Sequence, residues 1–244
     1  MRIKLINPNT TMSMTEAMTA CARQVAAPGT EITGVSPQMG PASIESHYDE
    51  ALAVPGLLQE IEKGEREGVD AYVIACFGDP GLSAARELAR GPVIGIAEAA
   101  MHMASLVAPS FSVVTTLART SGMAWHLAER YGMQRFCRNV RACEIAVLEL
   151  ENPASDARAR ITDECRRALA EDGAEAIVLG CAGMADLCAA IGRDIGAPVI
   201  DGVTAAVKLA ESLVALGLGT AKGGEWARPL PKAYHGLLSG FARV

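Results

Sequence analysis

Short apolar runs alternate with longer stretches of helical spacing along this chain. Runs rich in β-branched residues, bounded by Gly, Pro or Asp, predict strands at Ile3–Ile6, Glu31–Val35, Ala71–Ala75 and Val93–Ile96. A second set follows at Phe111–Thr115, Asn139–Cys143, Ala176–Leu179 and Val199–Ile200. Between them, Val54, Leu57, Leu58 and Ile61 fall on one face of a helix predicted over Ala53–Glu67, with Gly68 as its stop. Ile161, Cys165, Ala168 and Leu169 do the same over Ile161–Ala170, and Gly173 ends it. Glu98–Val107 and Val203–Leu216 read as amphipathic helices, while the short apolar stretch Glu144–Leu150 fits no single element. Alternating strands and helices predict an α/β fold of parallel sheets with helices on both faces.

The pattern occurs twice. Gly68-Val-Asp-Ala-Tyr-Val-Ile-Ala-Cys76 precedes Gly91-Pro-Val-Ile94, and Gly173-Ala-Glu-Ala-Ile-Val-Leu-Gly-Cys181 precedes Ala197-Pro-Val-Ile200. Cys76 to Cys181 is an offset of 105 and Pro92 to Pro198 one of 106, so the register holds with one inserted residue. No Pro/Ser-rich linker separates the halves. We therefore expect two intimate lobes, residues 1–97 plus 204–244 and residues 98–203, with a helix carrying the chain across at each junction. The tail from Gly219 is expected to pack on the first lobe or on another subunit.

Composition narrows the partners. Half of the 244 residues are apolar, enough for a sizeable core, and the net charge is −6. Basic residues form no runs, which argues against nucleic acid or an anionic membrane. The uncharged stretch Ala99–Ala118 holds a histidine, a proline and five hydroxyl residues, so it reads as a helix followed by a strand rather than a membrane span. With too short an apolar start for a signal peptide, the expected location is the cytoplasm. There the seven cysteines should stay reduced. No Cys/His set has metal-ligand spacing, and neither a dinucleotide fingerprint nor a P-loop occurs, so no metal or cofactor is expected.

Cys76 and Cys181 stand at the carboxyl ends of predicted central strands, where open parallel sheets bind ligands. A buried, inert cysteine is the alternative for either alone; the others (Cys21, Cys137, Cys143, Cys165, Cys188) are read that way. The first strand ends in Asn7-Pro8-Asn9-Thr10, and its counterpart in Thr115-Thr116. Thr10 reads as a helix cap; Asn9, Thr115 and Thr116 read as ligand contacts. Each cysteine precedes a predicted helix start, which should lower its pKa and supply a thiolate near neutral pH. Without a histidine partner, such a thiolate suits removal of a proton from a carbon beside a carbonyl. The backbone N–H groups of Phe77, Gly78, Ala182 and Gly183 can then meet the enolate. A second thiol on the opposite face completes an inversion.

Ile6-Asn-Pro-Asn-Thr10, Pro41-Ala-Ser-Ile-Glu45, Ala75-Cys-Phe-Gly-Asp-Pro80, Val113-Val-Thr-Thr116, Leu179-Gly-Cys-Ala-Gly-Met184 and Pro198-Val-Ile-Asp-Gly202, in that order, resemble the hydantoin racemase family of the aspartate/glutamate racemase superfamily. The resemblance thins after about Gly219. It implies two flavodoxin-like lobes about a pseudo-twofold axis, with the active site between them. It also implies cofactor-independent inversion at C5 of 5-substituted hydantoins or of allantoin. Its catalytic cysteines fall on Cys76 and Cys181, and its substrate-contacting tips on Pro8-Asn9 and Thr115-Thr116. Met39, Ile44 and Phe77 should line an apolar substituent pocket, which favours hydrophobic hydantoins. A homo-oligomer is expected. The alternatives are allantoin as substrate, another two-cysteine isomerisation, or a ligand-binding module without turnover.

Overall fold

The computed structural model describes residues 1–152 and 154–242, so the last two residues of the expected first lobe, 243 and 244, lie outside it. Two four-stranded parallel sheets form the frame. The first holds β1 (Arg2–Ile6), β2 (Glu31–Val35), β3 (Ala71–Ile74) and β4 (Val93–Gly95), in the order β2-β1-β3-β4. The second holds β5 (Phe111–Thr115), β6 (Cys137–Ala142), β7 (Ala176–Leu179) and β8 (Val199–Ile200), in the order β6-β5-β7-β8. The same order in both sheets is the duplication made visible. Every residue of β3, β5 and β7 is buried, as expected of central strands covered on both faces.

The period of two along each strand sorts side chains between cores. Ile3, Leu5 and Val73 of the first sheet share one core with Phe111, Val113 and Val178 of the second. Ile6, Tyr72 and Ile74 point the other way, onto α2 (His47–Glu67) and α3 (Leu82–Leu88). Val114, Ile177 and Leu179 meet α6 (Ala157–Asp172) and α7 (Cys188–Ile195) on the outer face of the second sheet.

Two helices occupy the shared core. α4 (Ile96–Val107) leaves the first sheet and packs on β7 and β8 of the second; α8 (Gly202–Ala215) leaves the second and packs on β3, β4 and α1 (Met12–Val25). They also pack on each other, through Ala97, Ala99, Ala100 and Ala104 on one and Ala205, Ala206 and Ala210 on the other, all buried. Small side chains let the axes approach closely. At Gly202 the approach leaves no room for a side chain: a Cβ there would lie 2.3 Å from the Ile96 carbonyl oxygen.

Most expected elements appear with longer or shifted ends. α2 begins at His47 rather than Ala53 because Ser46 caps it, accepting the Asp49 N–H. β6 starts two residues earlier than expected, and the ambiguous stretch becomes a 3₁₀ turn at Val147–Glu151. Thr10 is not a cap: Thr11 holds that position before α1, and the Thr10 hydroxyl donates to the Pro41 carbonyl. The tail after α8 lies on the first lobe, with Thr220 donating to the Arg90 and Gly91 carbonyls at 2.9 and 2.6 Å.

Candidate active site

The two sheets point their carboxyl ends at one cavity of about 60 Å³. A water needs roughly 10–15 Å³ measured this way, so the space suits a compact ring and a short substituent. One repeated hydrogen bond aligns both halves of the site. The Ala75 N–H reaches the Ile6 carbonyl at 2.8 Å, and the Gly180 N–H reaches the Val114 carbonyl at 2.8 Å. One residue further along each strand, Cys76 and Cys181 enter the cavity. Asn9, Ile44, Phe77, Gly78, Thr115, Thr116 and Ala182 line it with them. Pro8 and Gly183 do not. Pro8 is buried behind the first strand tip, and Gly183 instead turns its N–H to the Cys181 sulfur.

The strand tips differ in what they leave free. Asn9 Oδ1 is occupied, accepting the Thr11 N–H at 2.9 Å and the Asn7 side chain at 2.8 Å. The Thr115 hydroxyl donates to the Gly180 carbonyl at 3.2 Å and so fixes the segment leading to Cys181. Thr116 is buried on the cavity wall, and among the described residues no protein group bonds its hydroxyl.

Sequence reasoning missed several wall residues: Asn7, Met14, Met18, Glu50, Thr120, Met123 and Val147. The methionines sit on α1 and on α5 (Ser121–Arg130), two helices for which the sequence reading set no element. Val147 arrives on the 3₁₀ turn and is pinned across the cleft, its N–H donating to Glu45 Oε1 at 2.8 Å. The capping sequence Ser46-His-Tyr-Asp49 was the signal that would have started α2 early enough to put Glu50 in its first turn.

The expected thiolate is corrected by the surroundings. Burial pushes the Cys181 thiol up to about 11, partly offset by the Gly183 N–H, with Glu45 adding to the rise. Cys76 is pushed up further, by burial first; the Gly78 N–H lowers it, while Glu50, Cys181 and Asp79 raise it. Helix N-termini give little help. α3 begins only at Leu82, and a 3₁₀ segment, Ala182–Leu187, follows Cys181.

Asp79 braces the first cysteine loop with a backbone φ of 44°, in the left-handed region. Its carboxylate accepts the Ala97 and Glu98 N–H groups at 3.1 and 3.0 Å, and the Tyr131 hydroxyl at 2.7 Å. Burial pushes that carboxyl up to about 6, against the pull of these donors. Gly95 makes room: a Cβ there would sit 2.2 Å from the Asp79 carboxyl carbon. Among the described residues, no group of three or more His, Cys, Asp or Glu side chains is placed to hold a metal.

A family model described as Asp/Glu/Hydantoin racemase matches residues 3–210. The chain belongs to that family. It is 50% identical to the hydantoin racemase of Pseudomonas sp. (strain NS671), over 100% of this chain and 98% of that one. It superposes on the structure of the allantoin racemase from Klebsiella pneumoniae with a TM-score of 0.97 and 56% identity, covering 100% and 99% of the two chains. The glutamate racemase from Francisella tularensis subsp. tularensis SCHU S4, at 18% identity, shares the fold over 91% of this chain and 84% of its own, with a TM-score of 0.64.

Proposed function

We propose that this racemase inverts C5 of 5-monosubstituted hydantoins without a cofactor, through Cys76 and Cys181 acting on opposite faces of the ring. The observation that carries the reading is the pair of thiols at equivalent strand ends of the two sheets, both lining one cavity. One sulfur, as thiolate, takes the C5 proton; the C–H electrons move into the adjacent carbonyl and form an enolate. Backbone N–H groups of the cysteine loops and the Thr116 hydroxyl donate to the enolate oxygen, each such donor being worth roughly 3 kcal/mol. As the enolate collapses, C5 takes the proton of the other thiol, which is left as thiolate for the reverse turnover. The remaining wall contacts proposed for the ring are Asn9, Ile44, Phe77, Gly78, Thr115 and Ala182; Pro8 and Gly183 act through their neighbours.

Allantoin is itself a hydantoin with a ureido group at C5, and the similarity to the Klebsiella pneumoniae enzyme favours including it. We further propose lobes of residues 1–97 plus 204–244 and 98–203, a cytoplasmic setting and a homo-oligomer. Seven free cysteines support the second, and exposed Leu230, Leu237 and Leu238 on the tail support the third. No helix of the described residues is long and apolar enough to cross a membrane.

The test is a single hydantoin enantiomer in heavy water. Optical rotation should decay to zero while deuterium enters C5. An unchanged rotation across benzyl-, isobutyl- and methylthioethyl-hydantoin and allantoin would sink the proposal.

A further inference from the structure

The cavity holds a carboxylate that proton transfer between the cysteines does not use. Glu50 enters from the first turn of α2, and its Oε1 lies 2.0 Å from where a Cβ on Gly78 would stand. The carboxylate therefore rests against the backbone that follows Cys76. Its Oε2 faces His47 Nδ1 at 3.4 Å, toward solvent. Among the described residues, no donor of the protein bonds Oε1. Glu45, five residues earlier, behaves differently: Oε1 accepts the Val147 N–H at 2.8 Å and Oε2 the Ser43 hydroxyl at 3.3 Å. One carboxylate is used up in clasping the cleft; the other presents open lone pairs to the cavity.

A carboxylate oxygen accepts hydrogen bonds and, when ionised, donates none. Left desolvated beside bound apolar matter it costs free energy, and an N–H donor removes that cost. Of the other polar groups of the wall, the Thr116 hydroxyl and the N–H groups of Phe77 and Ala182 can donate and suit the ring carbonyls. An alkyl substituent gives Glu50 nothing to accept, whereas a ureido substituent carries several N–H donors on a short, planar arm. We infer that Glu50 determines specificity at C5, accepting N–H groups of a ureido substituent and so favouring allantoin over alkyl hydantoins. The inference rests on the ring lying between the two cysteines.

The experiment measures kcat/KM for allantoin and for 5-isobutylhydantoin, as enzyme-dependent exchange of the C5 hydrogen in heavy water. It compares the unaltered protein with Glu50→Leu and Glu50→Gln. The ratio of allantoin to isobutylhydantoin should fall at least about tenfold in Glu50→Leu, and by less in Glu50→Gln. Should the leucine variant fail to fold, the isosteric glutamine variant carries the test. A ratio unchanged in both variants overturns the inference. Equal losses on both substrates also overturn it, because they assign Glu50 to the shared ring or to Cys76. Failure of the unaltered protein on every hydantoin tested would instead defeat the two-cysteine reading itself.

Discussion

The two cysteine loops match in position and differ in surroundings. Both follow a fully buried strand, and both turn a glycine N–H toward the sulfur. After Cys76 the chain makes a tight turn through Asp79, with Glu50 and Asp79 both adding negative charge near the thiol. After Cys181 it runs into a 3₁₀ segment, with Glu45 as the acidic neighbour. Burial raises both thiols, but Cys76 more. A racemase must work in both directions, yet its two half-sites need not be equal. In the two-cysteine mechanism proposed above, Cys181, the less raised thiol, is assigned the base and Cys76 the acid.

The largest effect separates these roles. Cys76→Ser and Cys181→Ser should each lower racemisation by at least about 10²–10⁴-fold, read by polarimetry. Proton exchange at C5 of one enantiomer should survive better in Cys76→Ser, which keeps the more easily ionised thiol. Full racemisation by either variant would end the division of labour.

Next comes alkaline pH. Folded thiols here keep their protons to higher pH than the ordinary value near 8.5 for an unfolded chain. Between those values the native state binds more protons, so stability is intact below about pH 8 and falls as pH rises toward 11. Urea unfolding from pH 8 to 10.5 should show that slope, and Cys181→Ser should flatten it by roughly 1–3 kcal/mol. An equal slope in the variant would mean that Cys181 is not held protonated by burial. Racemisation should rise over the lower part of the same range as thiolate forms.

A smaller effect tests the brace behind Cys76. Tyr131→Phe removes one of three donors to the buried Asp79 carboxylate and should cost about 1–3 kcal/mol in urea unfolding. Among the described residues no counterpart of this brace acts on the Cys181 loop, so Cys76 should become the more alkylation-prone thiol in that variant. The smallest change is Ser46→Ala, which uncaps α2 and should cost about 1 kcal/mol. A loss well above that would show that α2 also secures Glu50 and the cleft.

Much of this was legible in the sequence, and the reasons are specific. Continuous apolar runs such as Tyr72-Val-Ile-Ala mark strands covered on both sides, and the repeat fixed which cysteines were equivalent. Nine of the eleven expected site residues line the cavity: Asn9, Ile44, Cys76, Phe77, Gly78, Thr115, Thr116, Cys181 and Ala182. Met14 and Val147 escaped because a helix and a turn bring them in from beyond the sheet ends, which local pattern does not record, and Glu50 escaped because the Ser46 cap went unread. The thiol pKa was misread for a related reason. A turn after a strand is visible in sequence, but the depth of packing around a sulfur is not.

The exchange of α4 and α8 has a consequence for the chain as a material. Each sheet is roofed by a helix that continues from the other sheet, and alanine rests on alanine where they cross. Neither half could be cut out whole. A fragment ending before α4 would lose nothing of its own sheet, but it would also lack α8 and show β3 and β4 bare along that face. The two cysteine-bearing strand ends are therefore parts of a single interlocked body, joined through two alanine-faced helices.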